Sequence, residues 1–346
     1  MKENVFNLDV LQIDAAAEVE KIVTQLRRFM TALQRRGLVV GISGGIDSSV
    51  TAALAERACG AARVLGLAMP ERDSAADTLD LSRMVAGHFG IPLLHEDISP
   101  ALDALGFYRR YEEAMRMVIP GYGGGWKSKI VLASLLDSQR SSYNFFHLIA
   151  EAPGGERYRE RLPLKAYLAV VAATNFKQRT RKMLEYYHAD RLNFAVAGTP
   201  NRLEYDQGFF VKCGDGAADL KPIAHLYKTQ VYQLAEYLGV PEEIRRRPPT
   251  TDTYSLAQGQ DEFYFAVPYQ EMDFCLYGRN HRIPAATVAE HLHLSAEQVE
   301  RIYRDIERKR AATRYLHAPP LLMEKVPEIA ISSEAGWSRD MQGRQV

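Results

Sequence analysis

The chain reads as an α/β protein, a doubly wound parallel sheet with helices on both faces. Three observations predict this fold: unbroken apolar runs of strand length, helical apolar spacing between them, and glycines that close the helical patterns. From Asp14 to Arg36, Val19, Ile22, Val23, Leu26, Phe29, Met30 and Leu33 keep helical spacing, and Gly37 supplies a stop. LVVGI from Leu38 is the first buried strand, SSVTAALAERACG a helix ending at Gly60, and RVLGLAMP the second strand. DTLDLSRMVAGHFG gives the next helix and IPLLHEDI the third strand.

After Ile98 the rhythm breaks. GYGGGWKSKIVLASLLDSQR and EAPGGERYRERLP carry Gly clusters and predict a flexible excursion, an insertion at about 104–165. Helix resumes with LAVVAATNFKQRTRKMLEYYHA, followed by RLNFAVAGT as strand and LYKTQVYQLAEYLG as a helix closed by Gly239. Two further helices span Ala285 to Tyr315, the second opened by a capping box from Ser295 to Gln298. A single domain over 1–320 and a polar tail over 321–346 are expected.

Composition narrows the function. With 43 Lys plus Arg against 43 Asp plus Glu, no global field favours nucleic acid or a membrane surface, so an anionic ligand must be held locally. Cys59, Cys213 and Cys275 are odd in number and far apart, which fits neither a disulfide framework nor a CxxC metal pair and points to the reducing cytoplasm. No apolar run reaches the length of about 18 residues that a membrane span needs, and the acid-bearing N-terminus lacks the apolar core of a secretion signal.

The chemistry begins at LVVGISGGIDSSVTAALA. A strand ending in small residues and running straight into a helix gathers unpaired N–H groups and the positive end of the helix dipole on one spot, which suits polyphosphate. Gly41, Gly44 and Gly45 allow close approach, Ser43, Ser48 and Ser49 add hydroxyls, Ile46 contributes backbone, and Asp47 suits the Mg2+ that accompanies ATP. A tight turn with a capping serine explains neither the paired glycines nor the carboxylate. GYGGGWKS mimics a Walker loop but has Trp126 where that pattern needs glycine, and reads as a flexible loop. His88, His147 and His188 lie without a carboxylate triad pattern, so no Ser-His or Cys-His nucleophile is read.

SGGIDSS resembles the SGGxDS loop of N-type ATP pyrophosphatases. NFKQRTRKM, AGTPNRLEYDQGFFVKCGDGAADLKPIAHLYKTQVYQLAEYLGVP and RRRPPTTD resemble, in order and spacing, the motifs of ammonia-dependent NAD synthetases, a likeness that extends to about Asp273. The resemblance implies ATP as co-substrate, deamido-NAD and ammonia as substrates, and catalytic roles for Asp47, Lys228 and Asp219. It further implies ATP contacts at Thr199, Lys228 and Thr250, a second magnesium ligand at Glu204 beside Asp47, and deamido-NAD contacts at Asn175, Arg179, Lys212 and Asp219. Arg202 stands where the family often has lysine and Lys182 where it commonly has methionine; Arg308, Lys309 and Arg314 share the claim to the family's C-terminal basic residue.

Glutamine-dependent relatives carry a fused amidase, for which the residues before Leu38 leave no room, so free ammonia or a separate donor protein is expected. A homodimer is implied, with the N-terminal helix as a candidate interface. Two other readings stay open at this point: an amide ligase of the same fold acting on another carboxylate, and a nonenzymatic nucleotide sensor.

Overall fold

A computed structural model of the chain describes residues 6–132, 135–136, 146–251, 253–324 and 326. Its contacts group Met1–Leu316 as one unit and His317–Val346 as another. Most of the tail expected over 321–346 lies outside the described residues.

The first unit opens with α1 (Ala15–Ala32), β1 (Leu38–Gly41), α2 (Ile46–Cys59), β2 (Val64–Ala68), α3 (Thr78–His88) and β3 (Leu93–His95). α1 stops four residues short of the expected end, with Gln34 rather than Gly37 taking the left-handed turn at φ +53°. Gly37 answers a different need: a Cβ there would stand 2.2 Å from the Arg63 carbonyl oxygen, so the chain enters β1 where only glycine passes. Short α4 (Ser99–Ala104) and α5 (Phe107–Arg116) follow.

The excursion expected to be flexible is instead a second sheet. β4 (Lys127–Leu132), β5 (Phe146–Glu151) and β6 (Arg157–Arg161) pair antiparallel in the order β4-β5-β6, and Lys127 and Ser128 of the Walker-like stretch begin β4. Alternation explains what the Gly clusters hid: Ile130, Leu148 and Ala150 are buried against Ala114 and Met115 of α5. α6 (Leu164–Leu192) then runs for 29 residues into β7 (Ala195–Ala197).

β3-β2-β1-β7 form one parallel sheet, with Val39 in register with Leu65 on one side and Val196 on the other. Its strands are buried on both faces, as their continuous apolar runs require. Leu38 and Val40 pack with Val19, Ile22 and Val23 of α1 and Val50 and Leu54 of α2, whereas Val39, Leu65 and Leu67 pack with Leu102 of α4, Phe107 of α5 and Ala173 of α6. The apolar face of α1 is therefore used up in the core.

α7 (Arg202–Gln207), α8 (Lys228–Tyr237), α9 (Glu242–Arg246), α10 (Tyr269–Asn280), α11 (Ala285–Leu292) and α12 (Ala296–His317) complete the chain. α8 joins the α1 and α2 layer through Val231, Leu234 and Ala235. Residues of α10, α11 and α12 form a separate core around Met272, Leu276, Val288 and Ile302. The expected capping box holds: Gln298 N donates to Ser295 Oγ at 3.1 Å and Ser295 N to Gln298 Oε1 at 2.7 Å.

Candidate active site

The loop between β1 and α2 folds back on itself. Ser43 N donates to Ser48 Oγ at 3.2 Å, Gly45 N to Ser43 Oγ at 3.3 Å, and the Ser48 and Ser49 hydroxyls both donate to the Gly45 carbonyl, at 2.9 and 2.8 Å. Gly44 sits at φ +73°, and a Cβ there would meet Leu81 of α3 at 2.5 Å, so the turn can be made only without a side chain. α2 starts at Ile46, whose side chain is buried in the core, leaving its backbone end toward the cavity.

This loop forms one wall of a cavity of about 760 Å³. Gly41, Ser43, Gly45, Ile46, Asp47, Ser48, Asn175, Arg179, Thr199, Glu204, Lys212, Lys228 and Thr250 all line it, so most of the residues singled out in the sequence come together. Gly44 and Ser49 do not reach the lining and act on the shape of the loop. Asp219 also stays outside: its carboxylate accepts from Val196 N at 2.7 Å and Tyr186 Oη at 3.3 Å, fastening its segment to β7. Asp215, four residues earlier, lines the cavity in its place.

At the centre, Lys228 and Asp47 form a close ion pair. Lys228 is 2% exposed, which rules out a surface role for it. Its position is fixed at the start of α8 by Asp273 of α10, whose carboxylate accepts from Lys228 N at 3.1 Å, Thr229 N at 2.7 Å and Thr229 Oγ1 at 2.8 Å. Glu204 stands not on irregular backbone but in the first turn of α7, where it and Asn201 make a reciprocal capping box. Asn201 joins the two carboxylates, since its Nδ2 donates to Asp47 Oδ1 at 3.2 Å and its N–H to Glu204 Oε2 at 3.0 Å. Gln260 Nε2 donates to the other Glu204 oxygen at 2.9 Å.

The charges respond to this crowding. Burial, and then the charge of Asp47, push the Glu204 carboxyl up to about 8 against the pull of Lys228. Burial alone would lower the Lys228 ammonium, but Asp47 and Glu204 outweigh it and hold it above the usual lysine range. Burial lifts Asp273 to about 7 despite its three donors. Two carboxylates facing one ammonium are one positive charge short, and that deficit is what a divalent cation fills. Among the described residues no group of three or more His, Cys, Asp or Glu side chains is arranged for a metal. A pair of carboxylates is nevertheless the donor set expected for magnesium, which keeps waters and takes phosphate oxygens.

The far wall is α6. Asn175, Gln178, Arg179, Lys182 and Glu185 lie at spacings of three and four and share the face turned to the cavity. Lys182 is satisfied internally by a close ion pair with Glu185, so its departure from the family pattern costs no unpaired charge. Arg179 Nε donates to Lys212 O at 3.3 Å, and Lys212 Nζ to Tyr315 O at 2.7 Å, which brings the end of α12 to the cavity. Of the three C-terminal candidates Lys309 lines it, paired with Asp305 at 2.6 Å; burial lowers its ammonium, and Asp305 restores only part of the loss.

Sequence reasoning missed Gln260, Asp273 and Asp305, which act across 45 to 180 residues of chain or within a helix that reads as a solvated face. Of the histidines, His188 is buried with its Nε2 3.0 Å from Glu96 Oε1, a packing role. Among the described residues the three cysteines are free thiols, and no helix is long and apolar enough to cross a membrane.

Comparison with known proteins follows the same outline. The NAD synthase family profile matches residues 18–121 and 156–327. A protein of Rhizobium meliloti (strain 1021) named NH(3)-dependent NAD(+) synthetase is 58% identical over 325 residues, covering 94% of this chain and 97% of that protein. One of the same name from Thermotoga maritima is 35% identical over 255 residues, covering 73% and 84%. Two solved structures share the fold: NMN synthetase from Francisella tularensis (TM-score 0.62, 23% identity, 91% of this chain and 100% of that one) and NH3-dependent NAD synthetase from Campylobacter jejuni in complex with nitrate (TM-score 0.58, 21% identity, 90% and 100%). With most of its length matched by the profile and near-complete overlap with relatives above half identity, the chain belongs to the NAD synthase family.

Proposed function

We propose that the protein amidates the nicotinate carboxylate of deamido-NAD with ammonia, using ATP and releasing NAD, AMP and pyrophosphate. The observation that carries this reading is the Asp47, Lys228 and Glu204 cluster at the mouth of the SGGIDSS loop, set opposite the basic face of α6 in one cavity. A carboxylate does not react with ammonia until an oxygen is converted to a leaving group. The substrate carboxylate attacks the α-phosphorus of ATP, the bond to the β-phosphate oxygen breaks, and pyrophosphate departs. Ammonia then attacks the acyl carbon and AMP leaves with the former carboxylate oxygen.

The loop from Ser43 to Ser48 and the start of α2 hold the departing pyrophosphate, with Thr199 and Thr250 as hydroxyl contacts. Asp47 and Glu204 would hold magnesium, which supplies positive charge to the phosphate oxygens. Once Asp47 has another cationic partner, the Lys228 ammonium turns to the phosphate charge that grows as the bond breaks. Asn175, Arg179 and Lys212 hold the phosphates and carboxylate of deamido-NAD. Asp219 supports this wall through Val196 and Tyr186 and reaches substrate only by leaving them. No covalent nucleophile is needed, so rate comes from positioning and electrostatics.

We place the protein in the cytoplasm as a homodimer supplied with ammonia in free form or by a separate donor. The single-domain reading of 1–320 with its insertion goes with this assignment. Leu164, Leu168, Met183 and Tyr187 leave an exposed apolar stripe along α6, which supports that helix as the dimer contact in place of α1. The test incubates purified protein with ATP, magnesium, ammonium and deamido-NAD. NAD, AMP and pyrophosphate in equal amounts are expected; AMP formed only with a different carboxylate overturns the substrate assignment, and no turnover overturns the enzyme.

A further inference from the structure

The stretch that the family profile leaves unmatched, 122–155, contains β4 and β5. β4 is an edge strand, and an edge offers unpaired backbone groups to another segment. Here that segment is 251–260. Ser128 N donates to Ser255 Oγ at 2.9 Å, Leu256 N to Ser128 O at 3.2 Å, and Lys129 Nζ to Ala257 O at 3.1 Å. Gln258, 2% exposed, donates its Nε2 to Ile130 O at 2.5 Å.

The same glutamine faces the active site through its neighbours. Its carbonyl accepts from Thr251 N at 2.9 Å, its Oε1 from Thr251 Oγ1 at 3.4 Å, and Thr250 pairs with Gly259 in an antiparallel bridge. Two residues further on, Gln260 holds Glu204. One short loop thus carries a residue of the cavity wall at one end and a partner of the central carboxylate at the other, and its middle is tied to the inserted sheet.

We infer that the edge of β4 is a splint for the 250–260 loop, and that Gln258 is the positioning residue through which the insertion sets Thr250 and Gln260 before nucleotide arrives. The inference rests on the reading of Thr250 as a phosphate contact and Glu204 as a magnesium ligand. A loop held in its bound conformation loses less entropy on binding, so removing the splint should weaken capture of ATP with magnesium and spare capture of ammonia.

The experiment compares Gln258→Leu, Ser255→Ala and Thr250→Ala with the full-length wild type. Hydrogen exchange is measured on nucleotide-free protein, and KM for ATP with magnesium and for ammonium is measured on the same preparations. In Gln258→Leu the Thr251 and Leu256 amides should exchange about tenfold faster, KM for ATP should rise about tenfold, and KM for ammonium should stay within twofold. Ser255→Ala, which deletes one hydroxyl, should move both readouts about threefold and serves if Gln258→Leu does not fold. Wild-type exchange in the folded variants overturns the splint. Faster exchange with unchanged KM for ATP, when Thr250→Ala raises it, overturns the positioning role. Wild-type KM in Thr250→Ala instead overturns the placement of Thr250 at the phosphates, and the exchange result then judges the splint alone.

Discussion

Two loops meet at the cavity and are held by opposite means. Ile42 to Gly45 joins a buried parallel strand to a helix packed in the core, and its hydrogen bonds are made within six residues. The 250–260 loop leans on side-chain and backbone partners 127 and 128 positions away in sequence. The first is shaped by the elements it connects, the second by a sheet added elsewhere. A loop of the first kind is set by local sequence; one of the second kind exists only when the whole chain has folded.

The largest test of this contrast lies on the first loop. Asp47→Asn keeps the shape of the loop but removes the charge that pairs with Lys228 and would hold magnesium. A loss of about 10³ in kcat is expected, the scale of one preorganised electrostatic contact to a transition state, or about 4 kcal/mol. Pyrophosphate release measured at saturating ATP checks it, and a kcat within tenfold of wild type would remove Asp47 from the mechanism.

Asp273→Ala should act next most strongly, and through position. It leaves the Lys228 and Thr229 N–H groups at the start of α8 without their acceptor. Loss of a cap costs about 1 kcal/mol and an unpaired buried donor about as much again, so unfolding in urea should show a drop of about 2 kcal/mol. kcat should fall about tenfold as Lys228 shifts, with KM for deamido-NAD little changed.

The same pair of carboxylates gives the magnesium-free protein a pH dependence. Glu204 is raised from 4.5 to about 8 and Asp273 from 3.8 to about 7. Between those limits the folded state keeps protons that the unfolded chain has released, so stability falls as pH rises. Asp273 has finished by about 7, which leaves the step from 7 to 8 to Glu204. Calorimetry should show Tm falling from pH 6 to 8.5 in wild type and flattening above 7 in Glu204→Gln. Magnesium, which competes with the proton, should raise Tm more at pH 8.5 than at pH 6.

What the sequence disclosed follows the same division. LVVGI, RVLGLAMP and RLNFAVAGT are apolar throughout because parallel strands are covered on both faces, and that pattern is visible without partners. Gly44 and Asp47 are legible because their loop is continuous with the elements that use it. β4 to β6 were hidden for the converse reason: Arg157–Arg161 is exposed along its whole length, so its strand carries no apolar alternation, and the glycines before Trp126 read as looseness. Asp273 and Gln260 carry no local signal, since each matters through one distant partner. Asp219 shows the reverse error, because a motif supplies an identity while the fold decides where the carboxylate points.

The smallest effect belongs to the inserted sheet itself. Ser128 Oγ lies 2.8 Å from both the Tyr111 and the Tyr122 hydroxyls, so the buried serine has two partners where one would satisfy it. Tyr122→Phe removes one of them and leaves the ring packed near Trp126. The Tyr111 hydroxyl still meets Ser128, so no buried group is stranded, and the cost is that of one net hydrogen bond, about 1 kcal/mol. Urea unfolding measures it directly. A loss above about 3 kcal/mol would mean that the tyrosine pair, and not the backbone edge of β4, carries the insertion, and the contrast between a locally shaped loop and a splinted one would then shift toward the aromatic cluster.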